Sequence, residues 1–234
     1  MIAPIDLNSN GINFLFNNKN ISFFKYPSRE SKNENLWDSG QRLFHVLQNI
    51  PANSVIATPE SFINYPINRM PEFISFLQHA LSPHKVLMLA SQYQDQNNAL
   101  FQAVYVITQD GVTFIYLKQH AIPCIERMPR YLQGWKRMCK LFKADQSFMP
   151  ADPQGEMGFY FKGVYIIPRI CSDFFLKTSW WDLRSLTKKN KGNVIVIVHV
   201  NDDWFNQPMK NLLSYFAHMQ SRLGAIDVLY VDYQ

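Results

Sequence analysis

The chain has 234 residues, of which 47% are hydrophobic and 18% charged, a composition that excludes a disordered protein. Its formal net charge is +5, and the excess is local: residues 118–143 hold seven basic side chains and a single acid, Glu126. The three cysteines, Cys124, Cys139 and Cys171, cannot all pair and match no zinc-binding spacing, which disfavours disulfides and metal.

Targeting signals are not evident in the sequence. The longest apolar runs are far shorter than the 18 or more residues that a membrane span requires. The first 20 residues lack the basic start and apolar middle of a signal peptide. Together with the cysteine usage, this predicts a reducing, cytoplasmic location.

The first half of the chain alternates strand and helix patterns. Helical spacing of apolar residues predicts helices over Leu36–Ile50 and Phe73–Leu81. Apolar and β-branched runs predict five strands, over Ile21–Tyr26, Ser54–Thr58, Lys85–Ala90, Ala99–Thr108 and Val112–Leu117. A turn at residues 109–111 predicts that the last two form a hairpin.

The second half continues the alternation. Helices are predicted over Tyr131–Lys143, which is amphipathic and basic, Trp180–Leu186 and Pro208–Leu223. Strands are predicted over Phe159–Phe161, Val164–Ile170, Val194–Val200 and Ala225–Val231. Because no linker or repeat interrupts the pattern, we expect one layered α/β domain over residues 1–234.

Three reactive side chains, Glu60, Lys118 and Cys171, each follow a predicted strand directly or within a few residues. Ligands gather outside the carboxyl ends of strands in α/β proteins, so this placement is typical of a functional site. A cysteine attacks as its thiolate, which a neighbouring base or cation must favour. Taken singly, however, a glutamate or lysine at such a position is more often a solvated surface residue, and a cysteine is more often a small buried side chain.

The residues around these three side chains resemble motifs of the carbon-nitrogen hydrolase (nitrilase) superfamily, in the same order. Ala57-Thr58-Pro59-Glu60 resembles the motif of the general base, and residues 116–126 resemble the stretch with the catalytic lysine and a second glutamate. Ile170-Cys171-Ser172-Asp173-Phe174 resembles the nucleophile motif. Residues 200–205 are similar to a segment of the soluble catalytic domain of apolipoprotein N-acyltransferases.

The resemblance implies a four-layer αββα sandwich and a reaction through a thioester on Cys171. Glu60 is the implied base, while Lys118 and the backbone N–H of Ser172 would stabilise the oxyanion. The substrate would be a small-molecule amide or acyl ester, attacked by hydrolysis or by N-acyl transfer. No cofactor is implied.

Further roles follow from the same resemblance. Glu126 would orient Lys118 or the leaving group, and Asp173 keeps the acid of the nucleophile motif. The helix after the nucleophile commonly packs across a dimer interface, so Trp180 and Trp181 predict a homodimer. Independently of the resemblance, the position of His199 within an apolar strand predicts a core histidine whose hydrogen bonds are satisfied.

The sequence also departs from the family pattern. Ser172 replaces the usual aromatic residue, the membrane bundle of the acyltransferases is missing, and the chain ends at Gln234, about where relatives add strands. One alternative is therefore a catalytically retired domain used for protein interaction. Another is a membrane-surface accessory of a conjugal-transfer or secretion system, with the basic helix 131–143 in peripheral membrane contact. No nucleic-acid motif accompanies that helix, and we predict no nucleic-acid partner.

Overall fold

The structure is a computed structural model that describes residues 11–16, 19–26, 35–120, 148–151, 157–176, 180–201 and 207–232. Its strands are β1 Gly11–Phe16, β2 Lys19–Lys25, β3 Ser54–Ala57, β4 Lys85–Gln94, β5 Leu100–Thr108, β6 Gly111–Leu117, β7 Phe159–Phe161, β8 Val164–Ile170, β9 Val194–His199 and β10 Asp227–Val231. Its α-helices are α1 Leu36–Asn49, α2 Pro71–Gln78, α3 Ser172–Leu176, α4 Trp180–Lys189 and α5 Gln207–Gly224.

The described strands form two sheets, each built from consecutive parts of the chain. The first has the order β1-β2-β3-β4-β5-β6, and the second has the order β10-β9-β8-β7. β2, β3 and β4 are parallel, and β5 is antiparallel to both β4 and β6. The carboxyl ends of β3 and β6 therefore point to the same edge of the first sheet. In the second sheet β8, β9 and β10 are parallel.

Apolar side chains of both sheets meet in one shared core. Val55, Met88 and Val104 of the first sheet belong to the same buried cluster as Ile166 and Val196 of the second. This cluster continues to Leu183 of α4 and Ala217 of α5, on the outer face of the second sheet. β9 is buried along its whole length, as expected for a strand covered on both faces.

A second buried cluster lies on the outer face of the first sheet. It joins Ile56 and Leu87 of the strands to Leu43 and Leu47 of α1 and Phe73 of α2. Helices therefore cover both outer faces, and the two sheets pack face to face between them. The predicted αββα sandwich is confirmed.

Two of these strands and α-helices were not predicted from the sequence. β1 pairs with β2 as an antiparallel hairpin, although Gly11–Phe16 contains a glycine and an asparagine that weaken the strand pattern. α3 has five residues, too few to show a helical period. No helix within the described ranges is long and apolar enough to cross a membrane.

Candidate active site

A buried ion pair joins two of the three reactive side chains. Lys118 Nζ donates to Glu60 Oε1 at 2.7 Å, and the two side chains are only 3% and 4% exposed. These residues are 58 positions apart in sequence. They meet because both follow strands that end at the same edge of the first sheet.

Glu60 is held by the end of β9, across the gap between the sheets. Its backbone N–H donates to Val200 O at 3.4 Å, and its Oε2 accepts from the Asn201 N–H at 3.2 Å. Both carboxylate oxygens thus accept hydrogen bonds, one of them from an ammonium group, and such bonds stabilise the charged form.

Lys118 is fixed by backbone pairing on both sides. Its N–H donates to Gln102 O at 2.8 Å, which continues the β5–β6 ladder by one residue. Its carbonyl accepts from the Ala151 N–H at 2.9 Å. The side chain therefore starts from a rigid position at the end of the sheet.

Cys171 lies directly after β8 and is 5% exposed, with its thiol reduced. Its N–H donates to His199 O at 2.9 Å. His199 and Val200 are consecutive, so neighbouring carbonyls of one strand end hold Cys171 and Glu60. The backbone of Cys171 has φ +37°, a conformation that costs a residue with a Cβ about 1 to 3 kcal/mol and clusters at functional sites.

Asp173 lies two residues after Cys171 and accepts several hydrogen bonds from the segment that carries Lys118. Its Oδ2 accepts from Tyr116 OH at 2.7 Å and from the Gln119 N–H at 3.0 Å. Its Oδ1 accepts from the His120 N–H at 2.8 Å and lies 2.8 Å from His120 Nδ1. Ser172 Oγ donates to His120 O at 2.5 Å.

His199 connects the two sheets beside this site. It is fully buried, and burial lowers the pKa of the imidazole to about 4, so the ring is neutral at pH 7. Nδ1 donates to Thr58 O at 2.6 Å, whereas Nε2 is buried and has no hydrogen-bond partner among the described residues. The prediction of a core histidine is confirmed, but only one of its two ring nitrogens is hydrogen-bonded within the described part of the chain.

Several predicted residues lie outside the described part of the chain. They are Glu126, Cys124 and Cys139, the helix predicted over 131–143, and residues 202–205 of the segment that is similar to the acyltransferases. Within the described ranges, no three His, Cys, Asp or Glu side chains are grouped to hold a metal ion.

Tyr116, His120 and Asn201 had no separate role predicted from the sequence. Tyr116 and His120 lie within residues 116–126, the stretch that resembles the lysine motif of the family, so the resemblance could have indicated them. Asn201 contributes its backbone N–H, which any non-proline residue could supply, so its residue type gives no such signal.

Comparisons with known proteins agree on the fold. No protein-family model and no curated protein matches the sequence. Among solved structures, a carbon-nitrogen hydrolase from Helicobacter pylori G27 matches with a TM-score of 0.56 at 12% identity, over 90% of this chain and 72% of that one. A glutamine-dependent NAD+ synthetase from Acinetobacter baumannii, in complex with ADP, matches with a TM-score of 0.55 at 16% identity, over 85% of this chain.

A glutamine-dependent NAD(+) synthetase from Cytophaga hutchinsonii matches with a TM-score of 0.52 at 12% identity, over 85% of this chain. The chain spans only 36% and 32% of the two synthetases. At these identities the likeness concerns the fold. The resemblance to carbon-nitrogen hydrolases that the motifs indicated is therefore confirmed in the architecture.

Proposed function

We propose that this chain, which has the fold of the carbon-nitrogen hydrolases, is a thiol-dependent amidohydrolase or N-acyltransferase. Cys171 is the nucleophile, Glu60 the base and Lys118 the cation that faces the developing oxyanion. The observation that carries the proposal is the buried Lys118–Glu60 ion pair, whose carboxylate shares one strand end with Cys171.

Burial of this pair supports a chemical role. Removing two charges from water is costly, and replacing a buried ion pair by apolar residues is often neutral or stabilising. Charged groups held in such a position, beside a nucleophile with strained backbone, are typical of active sites. A purely structural pair would not need a cysteine held to the same strand end.

In the first step, the Cys171 sulfur attacks the carbonyl carbon of an amide or ester. The thiol proton passes to Glu60, a C–S bond forms, and the carbonyl oxygen becomes an oxyanion that Lys118 and the Ser172 N–H stabilise. The tetrahedral intermediate then collapses, and Glu60 returns the proton to the leaving amine or alcohol. The carbon-heteroatom bond breaks and leaves a thioester on Cys171.

In the second step, water or an acceptor amine attacks the thioester carbon. Glu60 accepts the proton of the attacking group, and the Cys171 thiolate leaves and is reprotonated. Water gives hydrolysis, and an amine gives N-acyl transfer. The same three residues serve both outcomes, so the acceptor decides which reaction is observed.

Acylation by p-nitrophenyl acetate tests the proposal without knowledge of the natural substrate. We expect one acetyl group on Cys171, resolved from Cys124 and Cys139 by peptide mass spectrometry, and its loss in Cys171→Ala. Glu60→Gln should slow formation of the thioester and slow its breakdown further, because the base acts in both steps. Glu72→Gln, which changes an exposed glutamate of α2, is the matched control and should behave as the wild type.

The retired-domain alternative predicts a different result. Cys171 would then acylate no faster than the other two cysteines, although the protein is folded by circular dichroism. That outcome would exclude the proposed enzyme.

A further inference from the structure

Asp173 is nearly enclosed, at 3% exposure, and its carboxylate bonds to residues on both sides of Lys118. Tyr116 precedes the lysine by two positions, and Gln119 and His120 follow it directly. The carboxylate itself belongs to the turn that carries Cys171. It therefore connects the segment of the cation to the segment of the nucleophile.

His120 is the residue most firmly held by this turn. Its backbone N–H and its ring nitrogen Nδ1 both bond to Asp173, and its carbonyl accepts from Ser172 Oγ. Backbone and side chain are thus fixed together, two residues after Lys118. Such an arrangement leaves the lysine segment little freedom to move away from Cys171.

Tyr116 supplies the contact on the other side. Residues 116 and 118 point to the same face of the extended strand, because side chains alternate along it. The Tyr116 ring lies under a cation, with Arg169 Cζ 5.2 Å from its centroid. Burial raises the pKa of Tyr116, so the phenol stays protonated and able to donate to Asp173.

We propose that Asp173 is a positioning residue, which through Tyr116, Gln119 and His120 holds the Lys118 ammonium at the Glu60 carboxylate and beside Cys171. This inference rests on the proposed function. Asp173 does not react in this scheme. Its carboxylate accepts hydrogen bonds from Tyr116, Gln119 and His120, and this is how it positions the lysine segment. Asp173 affects the reactivity of the Cys171 thiol only by fixing the position of Lys118.

The positioning role and a general loosening of the site predict opposite changes in the rate at which Cys171 is alkylated. If Lys118 moves away, the thiolate loses a neighbouring cation and forms less readily at neutral pH. Alkylation of Cys171 should then become slower and require higher pH. Loosening of a buried site would instead expose the thiol and make alkylation faster.

The test compares two tyrosines of similar burial. Tyr116 donates to Asp173, whereas Tyr105, on the other face of the same sheet, donates to Gln92 O at 2.8 Å. They are 2% and 1% exposed, so Tyr116→Phe and Tyr105→Phe remove one buried hydroxyl each. Rates of iodoacetamide alkylation are measured for Cys171 by peptide mass spectrometry over a range of pH, with thermal unfolding of each variant.

We expect Tyr116→Phe to slow alkylation of Cys171 about threefold to tenfold near pH 7, which corresponds to the loss of one hydrogen bond. The pH profile of the alkylation rate should shift toward higher pH. Tyr105→Phe should lower the melting temperature similarly and leave the rate unchanged. Asp173→Asn should act in the same direction as Tyr116→Phe and more strongly. Since Asp173→Asn can fail to fold, Tyr116→Phe carries the decision.

Unchanged or faster alkylation in Tyr116→Phe, with the wild-type thiol activated, overturns the positioning role and leaves the proposed enzyme intact. A wild-type Cys171 that reacts no faster than Cys124 and Cys139, and is not acylated, overturns both.

Discussion

The Lys118–Glu60 pair removes two opposite charges from water at the edge of the core. Each charge depends on the other, because a buried ion without its partner loses hydration and gains little in return. The Glu60 carboxylate also accepts a hydrogen bond from the Asn201 N–H, which helps to stabilise its charge.

The first prediction concerns the stability of this pair. Lys118→Met should lower the free energy of unfolding by about 3 to 5 kcal/mol, because it strands the Glu60 carboxylate in the core. Glu60→Gln should also destabilise, and the double variant should lose less than the sum of the two single losses. Urea denaturation of all four proteins measures this coupling, and strict additivity would contradict it.

The second prediction concerns the backbone of Cys171, whose φ of +37° strains any residue with a Cβ. Cys171→Ala and Cys171→Gly both remove the thiol, and neither should form a thioester. Cys171→Gly should nevertheless be more stable than Cys171→Ala by about 1 kcal/mol, because glycine adopts this conformation without strain. The denaturation midpoints of the two variants measure this difference. A Cys171→Ala protein more stable than Cys171→Gly would show that the backbone at this position is not strained.

At the scale of elements, α4 and α5 pack together and form the outer layer over the second sheet. This layer carries large apolar side chains on its outside: Trp181 is 64% exposed, Leu212 57% and Tyr215 65%. Aromatic side chains are favoured in the cores of protein interfaces. We therefore expect the predicted homodimer to form through α4, the helix of Trp181, together with α5.

The third prediction is that the wild type is a dimer that dissociates on truncation of this surface. Trp181→Ala should shift the mass measured by light scattering toward the monomer, because it removes a large apolar contact. Tyr65→Ala, at a residue 48% exposed on another part of the molecule, should leave the mass unchanged. A monomeric wild type at high concentration would end the dimer hypothesis.

Local sequence patterns were sufficient for most elements and insufficient for the contacts between them. The β-branched run of β9 and the apolar period of α1 are properties of neighbouring residues, so they could be predicted. The bond from His199 to Thr58 spans 141 positions and depends on how two sheets pack. Glu60, Lys118 and Cys171 were grouped because each follows a predicted strand, and motif resemblance gave them their roles. The hydrogen bonds around Asp173 could be found only in the structure.

At the scale of the whole molecule, polar contacts tie the two sheets together at both ends. Lys25 pairs with Asp232 near the carboxyl ends of β2 and β10, and Lys162 donates to Asn53 near the opposite end. His199 adds a buried bond from the second sheet to Thr58 of the first. The relative position of the sheets is thus fixed by specific bonds as well as by the apolar core.

The fourth prediction is that the His199 contact makes the sandwich sensitive to acid. The imidazole has a pKa of about 4 when folded and about 6.5 when unfolded, so between these values the unfolded chain binds more protons. Stability therefore falls as the pH falls, by up to about 3 kcal/mol from this group.

Denaturant titrations from pH 7 to pH 4 measure this effect. His199→Asn keeps an N–H donor for Thr58 O and cannot be protonated. Because the smaller side chain leaves part of the buried site unfilled, the variant should be less stable than the wild type at pH 7. The difference between the two proteins should shrink toward pH 4. A constant difference would show that His199 does not titrate as inferred.

The division of the described strands into two consecutive sheets gives the chain an order of events during synthesis. Glu60 and Lys118 belong to the half that leaves the ribosome first, and Cys171 arrives only with the second half. The strand end that holds both Cys171 and Glu60, at His199 and Val200, emerges later still. In a nascent or half-folded chain, Asp173 therefore lacks its bonds to Gln119 and His120. The proposed nucleophile can meet the proposed base and cation only after the second sheet has docked on the first.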